Sequence, residues 1–527
     1  MKILLDIQNS PAPRQMPQVP SCFDDIIFTI GNYLKIDCFP MFASSYSFDF
    51  RKTAKSSSEK YYERIAVHDR KIELLEKFCG LTYYYIKISP NDNLTDIIID
   101  ELQNGNMMAV HFDAYYCPWD QFYGQFHNDH MVIVSGIDTE KSEIYVCDPW
   151  FDTARKIDSD ILKSACKYAV IFVQTENPTV KPSKHSAAEY LRSSVFTDGV
   201  SAFDSMREFA EEFRCGFDSG DIECDNFFYS DYHGILQKVI YSRCKYLSFL
   251  KYASDSFGFV PFDNPDKLKH FALSWRNIQW MIGKAYIQKA DRNNILTDRI
   301  YRKIILLADE EESCFNGFLI ADSGKSGLLS KLDDENNSKV RCEANAFQKY
   351  AVDLSKYYNN KALDYTSDYR GADFGGLGEF FCLDNAVGEK SSLYGEYDLY
   401  LPYKADCKYD NMICLGQKIK LPSLCVRRVV FRGFSEYGSY SDYFGITDSD
   451  GKDSFYLLSF SDYSTPPSDS ETVLLTADVC ASDGNKFVTS HKDCHIFAKS
   501  IELNGKRGGL LTLPYCPCIH IFSILFF

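Results

Sequence analysis

Apolar side chains at positions 23, 26, 27, 30, 33 and 34 recur at the period of one helix face. Pro20 and Ser21 precede that run, which places Cys22 in the first turn of the predicted helix. Further along, MVIVSGI (131–137) and SEIYVCD (142–148) are β-rich and separated by DTEK, the pattern of a hairpin. YAVIFV (168–173) reads as another strand. The period then changes. Phe203, Met206, Phe209 and Phe213 share a helical face, as do Leu268, Phe271, Trp275, Ile278 and Ile282, and then Ile300, Ile304 and Leu307. Such stripes predict a helical-bundle core. The last third carries short runs, among them QKIKLP, RRVVFRGF, DSFYLLSF, ETVLLTADV and CIHIFSILFF, set apart by Gly, Asp, Ser and Pro clusters. That spacing predicts an all-β sandwich.

Two polar stretches divide these blocks: TENPTVKPSK (175–184), with two prolines, and the glycine-interrupted DSGKSGLLSKLDDENNSK (322–339). The expected organisation is a mixed α+β domain over 1–178, an all-α domain over 185–325 and a β-sandwich over 342–527. A chain of 527 residues accommodates about three domains at roughly 100–200 residues each. Its 45% hydrophobic and 25% charged residues are globular values. A net charge of −16 opposes general binding to nucleic acid or to an anionic membrane. The first residues, MKILLDIQNSPAPRQ, are too short in apolar content for a signal peptide, and no apolar run is long enough to span a bilayer. The 19 cysteines are odd in number and lack zinc-type CxxC pairs, so reduced thiols and a cytoplasmic location are expected. HKDCH places His491 and His495 four apart, but the neighbouring alternation reads as strand rather than as a helical zinc site. Neither a phosphate-binding loop nor a dinucleotide fingerprint is present.

The hairpin carries an ionisable group at each end. If Asp138 pairs with residue 140 or 142, His130 lies opposite Asp148 or Trp150. In the first register imidazole and carboxylate leave the same face, about 5 Å apart at Cβ. The carboxylate then accepts the Nδ1–H, fixing the tautomer and stabilising the imidazolium. Taken alone, His130 is a strand cap and Asp148-Pro149 a turn; catalysis requires a nucleophile. Cys22 is the candidate, because unsatisfied amides and the helix dipole favour a thiolate in a first turn. Asp24 and Asp25 oppose it by charge. The order Cys, His, Asp, on an N-terminal helix and a later hairpin, is that of papain-like enzymes. His127 is a rival base without a hairpin partner, and Cys117 a rival nucleophile without a helix N-terminus.

SCFDDIIFTIGNYL, MFASSYSFDF, FDAYYCPWDQFYGQFHNDHMVIVSGID and YVCDPW together resemble the N-terminal domain of the butirosin biosynthesis protein H family over roughly residues 15–175. That family is related to papain-like, bacteriocin-processing cysteine peptidases. The resemblance implies transfer of an acyl group from an acyl-carrier-protein thioester to a small-molecule or peptide amine. It makes Cys22 the nucleophile, His130 the general base and acid, and Asp148 its orienter. It places Asp113, Tyr116 and Trp119 at the cleft, with His127 beside them. Papain-like enzymes carry a glutamine about six residues before the nucleophile; here Gln15 and Gln18 flank that position, which Met16 occupies. Gln18 is the tentative substrate-side donor.

VDLSKYYNNKALD, ADFGGLGEFF, CLGQKIKLP, LSFSDY and CIHIFSI resemble galactose-binding-like β-sandwich modules of the jelly-roll type. By that resemblance a carbohydrate is a possible partner, and Asn359, Asn360, Asp373 and Asp462 are either ligand-loop or turn-shaping residues. The leading expectation is therefore a cytoplasmic cysteine acyltransferase of a peptide or natural-product pathway. It needs no metal and no cofactor of its own, since phosphopantetheine arrives on the carrier. The alternatives are a cysteine peptidase or amide hydrolase with the same three residues, and a non-catalytic scaffold that binds a carrier or a sugar.

Overall fold

Helix α1, Cys22–Leu34, begins where the apolar period begins. Ser21 caps it from an extended backbone, its hydroxyl accepting the Asp24 amide at 3.3 Å. Lys35 closes it in the left-handed region, and Ile26, Ile27 and Ile30 are fully buried along its inner face. In this computed structural model the described residues are 1–12, 21–51, 60–89, 92–175, 180–222, 227, 230–262, 265, 267–290, 295–321, 350–388, 407–421, 425–468, 470–482, 486–507 and 509–527.

The chain divides into two units. One comprises Met1–Phe209, Gln237–Ala272 and Ala308–Ser323; the other comprises Ala210–Leu236, Leu273–Leu307 and Gly324–Phe527. The helical residues expected to stand as one block are thus shared between the two units.

The first unit is built on an antiparallel sheet. Its strands are β1 (Lys2–Leu4), β2 (Leu81–Lys87), β3 (Met107–His111), β4 (Met131–Asp138), β5 (Glu143–Asp148), β6 (Thr153–Asp158) and β7 (Tyr168–Gln174). The order is β2-β7-β3-β4-β5-β6, and β1 pairs with the far end of β4. Gly136 makes that last pairing possible, since a Cβ there would lie 2.5 Å from the Ile3 carbonyl oxygen. Met108, Val110, Val132, Val134, Ala169 and Ile171 fill the sheet's core, as near-continuous apolar strands should.

Helices α2 (Leu94–Gln103), α3 (Ser159–Ala165), α4 (Lys184–Val195), α5 (Ala202–Gly216), α6 (Asp231–Phe257), α7 (Lys267–Ile287) and α8 (Ile295–Ala321) follow the predicted periods. Every stripe residue from Phe203 to Leu307 named above is buried. Within the first unit, Arg243 of α6 and Glu311 of α8 form a fully buried ion pair at 2.8 Å. Tyr46 donates to the same carboxylate, and Arg243 also donates to the Ser47 carbonyl at 2.9 Å.

The second unit is β-rich, with a nine-stranded and a four-stranded sheet among the described residues. Its helical portion meets the strands through buried polar pairs: Lys284 with Glu436, Asn277 with Asp442 at 2.8 Å, and Lys303 with Asp442 at 3.6 Å. Asn359, Asn360, Asp373 and Asp462 all hold loop backbone. Asn359 accepts the Ile413 amide, Asn360 donates toward the Asp373 and Phe374 carbonyls, Asp373 accepts the Gly376 amide, and Asp462 accepts those of Gly438 and Ser464. His491 and His495 lie on one strand, where His495 is bonded to the Thr476 hydroxyl. No described helix is long and apolar enough to cross a membrane.

Candidate functional site

His130 stands immediately before β4, its carbonyl accepting the Phe112 amide at 2.9 Å beyond the end of β3. Asp148 is the last residue of β5. The hairpin register is neither of the two expected at its turn: Asp138 pairs with Glu143. A bulge between Val134 and Gly136 then shifts it, so that Ile133 pairs with Cys147, which is the second of the two expected registers. Extended to the strand ends, this sets Asp148 opposite Val132, and His130 becomes its diagonal same-face neighbour, a separation that long side chains bridge. The side chains do meet, with His130 Nε2 2.7 Å from Asp148 Oδ2.

The nitrogen also differs from expectation. Nε2 faces the carboxylate, not Nδ1, which leaves Nδ1 for the other partner of the ring, Cys22. Cys22 is the first residue of α1, half-buried, and hydrogen-bonded to the His130 side chain. Asp148 is fully buried and fully engaged. The Trp119 indole donates to Oδ2 at 2.8 Å, and the Trp150 and Phe151 amides approach Oδ1 at 3.1 and 3.4 Å. Burial by itself lowers the pKa of His130, but the hydrogen bonds to Asp148 and Cys22 and the charges of both outweigh it, raising it to about 9.

The acidic residues at the start of α1 are neutralised locally. Asp24 binds Lys71 at 2.6 Å and Lys245 of α6 at 3.1 Å. Its burial, which alone would raise its pKa, is overcome by those two cations, and the pKa falls to about 2. Asp25 accepts the Ala12 amide at 3.0 Å.

Cys22 and His130 open into a cleft of about 610 Å³, walled by Trp119, Phe122, Trp150 and Phe151, with Asp120 and Asp129 among its polar groups. Of the residues expected at the cleft, Trp119 lines it. Asp113, Tyr116 and His127 do not; they form a separate cluster. His127 Nδ1 lies 2.7 Å from Asp113 Oδ2 and its ring stacks on Tyr115 at 4.5 Å, while Tyr116 packs edge-on against Tyr115. The rival base thus has a carboxylate of its own, but it is not among the residues that line the sulfur's cleft. The Asp113 pKa is lowered: burial pushes it up, and the hydrogen bonds from His127 and the Tyr115 amide more than reverse that. Cys117 is fully buried, and burial pushes its thiol up to about 12, with Asp148 and Asp120 adding to the rise. Gln15, Met16 and Gln18 lie outside the described residues. Trp150 and Phe151 are the residues the sequence reading missed; their place directly after Asp148 was the available signal. Among the described residues no group of three or more His, Cys, Asp or Glu side chains is set to hold a metal ion.

Residues 25–149 match the family described as butirosin biosynthesis protein H, N-terminal. This segment belongs to that family. The butirosin biosynthesis protein H segment includes His130 and Asp148 and starts three residues after Cys22. No curated protein matches the chain. Among solved structures, it is similar at 9% identity to BtGH115A, a family GH115 4-O-methyl-α-glucuronidase with specificity for decorated arabinogalactans. That alignment covers 65% of this chain and 44% of the other, with a TM-score of 0.16. The chain thus spans under half the length of that enzyme, and a likeness at this level carries neither fold nor function.

Proposed function

We propose that the first unit is a papain-like cysteine acyltransferase that moves an acyl group from a carrier-protein thioester to an amine acceptor through an acyl-Cys22 intermediate. The observation that carries this reading is one imidazole held between a buried carboxylate and a sulfur at a helix start, inside a cleft. Proton transfer from Cys22 to His130 gives a thiolate–imidazolium pair. The thiolate adds to the thioester carbonyl, and backbone amides at the start of α1, which a helix leaves without internal partners, face the developing oxyanion. The carbon–sulfur bond to the carrier then breaks, and the departing thiolate takes the His130 proton. In the second half the amine attacks the Cys22 thioester, His130 accepts its proton, and Cys22 leaves as thiolate. Asp148 orients the ring throughout, and its charge stabilises the imidazolium.

Intact-protein mass spectrometry with acyl-carrier thioesters tests the reading. An adduct on wild type that is absent in Cys22→Ala, and that an amine discharges faster than water does, is the expected result. Faster discharge by water makes the same residues a hydrolase, and no adduct makes the domain a binding scaffold. The carbohydrate at the second unit is a proposal on the resemblance, and the cytoplasmic location is one on the cysteine pattern of the sequence.

A further inference from the structure

Cys22 lines the cleft described above, and the next residue, Phe23, lines another. This second hollow, about 330 Å³, is walled by the rings of Phe23, Tyr83 and Tyr85. Phe23 meets Tyr83 edge-on at 5.2 Å and stacks with Tyr85 at 6.3 Å. Tyr85 in turn packs on Tyr168 at 6.0 Å, and Tyr168 on His111 at 5.1 Å. Tyr168 is near enough to Cys22 to feel its charge, and His111 binds Asp129 of the first cleft at 3.0 Å. These contacts lead from Tyr85 of the second hollow, through Tyr168 and the fully buried His111, to Asp129 of the first cleft.

The charged groups of the second hollow are already committed. Arg70 is gripped by both oxygens of Glu73, at 2.8 and 2.5 Å, and Lys71 by Asp24, with Asp69 at 3.8 Å. An ionic ligand would have to break those pairs, whereas an uncharged ring needs only to displace water and stack. Tyr85, 58% exposed, offers that face.

We propose that this hollow is the acyl pocket and that it selects an uncharged aromatic acyl group, leaving the larger, carboxylate-bearing cleft to the other reactant. The inference rests on the acyl-transfer reading of Cys22. In the test, the full-length chain is offered phenylacetyl and acetyl thioesters of N-acetylcysteamine, without acceptor, and the rate of the Cys22 adduct is read by intact mass. Phenylacetyl transfer at least about tenfold faster than acetyl is expected, since stacking on several rings is worth that ratio. Tyr85→Ala should reduce the ratio at least about threefold. Equal rates in wild type, or a ratio unchanged in Tyr85→Ala, overturns the pocket while leaving acyl transfer intact. Absence of any adduct from either thioester overturns the acyl-transfer reading itself.

Discussion

At the scale of single residues, the decisive contact is the 2.7 Å bond between His130 and Asp148. Removing its charge in Asp148→Asn should lower the rate of Cys22 acylation by about 10²–10⁴, the range spanned by oriented proton transfer. It should also move the alkaline limb of the pH–rate profile from about 9 toward the ordinary histidine value of about 6.5. The same shift acts on stability. A ring whose pKa is raised by folding stabilises the fold when protonated; that contribution is complete below about 6.5 and is lost as pH climbs through about 9. Urea unfolding of wild type and Asp148→Asn should therefore differ most near pH 6 and least near pH 10. The pairing was legible in the sequence because both expected registers put His130 and Asp148 on one face; the turn itself has the other parity, and the bulge between Val134 and Gly136 restores the shared face. Which nitrogen faces the carboxylate was not, since it depends on ring rotation and on the bulge after Val134. Trp119 was legible as a cleft residue but not as a donor to Asp148, a contact made across 29 positions of loop and strand.

At the scale of elements, the periodic stripes predicted α1 and the later helices well, because burial of one face is written locally. The ionic contacts between those helices were not legible. Arg243 and Glu311 lie 68 positions apart, and each reads in sequence as a solvated charge. Their complete burial makes a specific prediction. Arg243→Ala strands a carboxylate among Tyr46, Ser242 and hydrocarbon, so chemical denaturation should show a loss of about 3–5 kcal/mol. The paired change to Arg243→Met with Glu311→Leu should cost much less, because no buried charge then lacks a partner. Near-equal losses for single and paired variants would show that hydrocarbon packing, not the ion pair, dominates there.

At the scale of the whole molecule, the polar stretch 322–339 marks the change from helix to strand, yet the second unit draws on both sides of it. A chain ending at residue 341 would keep Lys284, Lys303 and Asn277 while deleting Glu436 and Asp442, their buried partners. It would also remove Tyr440, against which Trp280 of α7 packs at 6.2 Å. Such a truncation should associate on size-exclusion chromatography and lose a cooperative thermal transition, whereas a monodisperse, cooperatively melting product would show that residues 1–341 fold independently. Strand-by-strand alternation made the β-rich character of the last block legible; the helical residues that complete its unit carry no such signal, because a helix stripe does not say which sheet it will cover.

The Trp119 indole bound to Asp148 Oδ2 has one more consequence. An indole is also a fluorophore, and this one shares its acceptor oxygen with the ring that gains and loses the proton. On the proposed reading, the dyad thus carries its own optical reporter, coupled to the charge the reaction moves, and needing no dye.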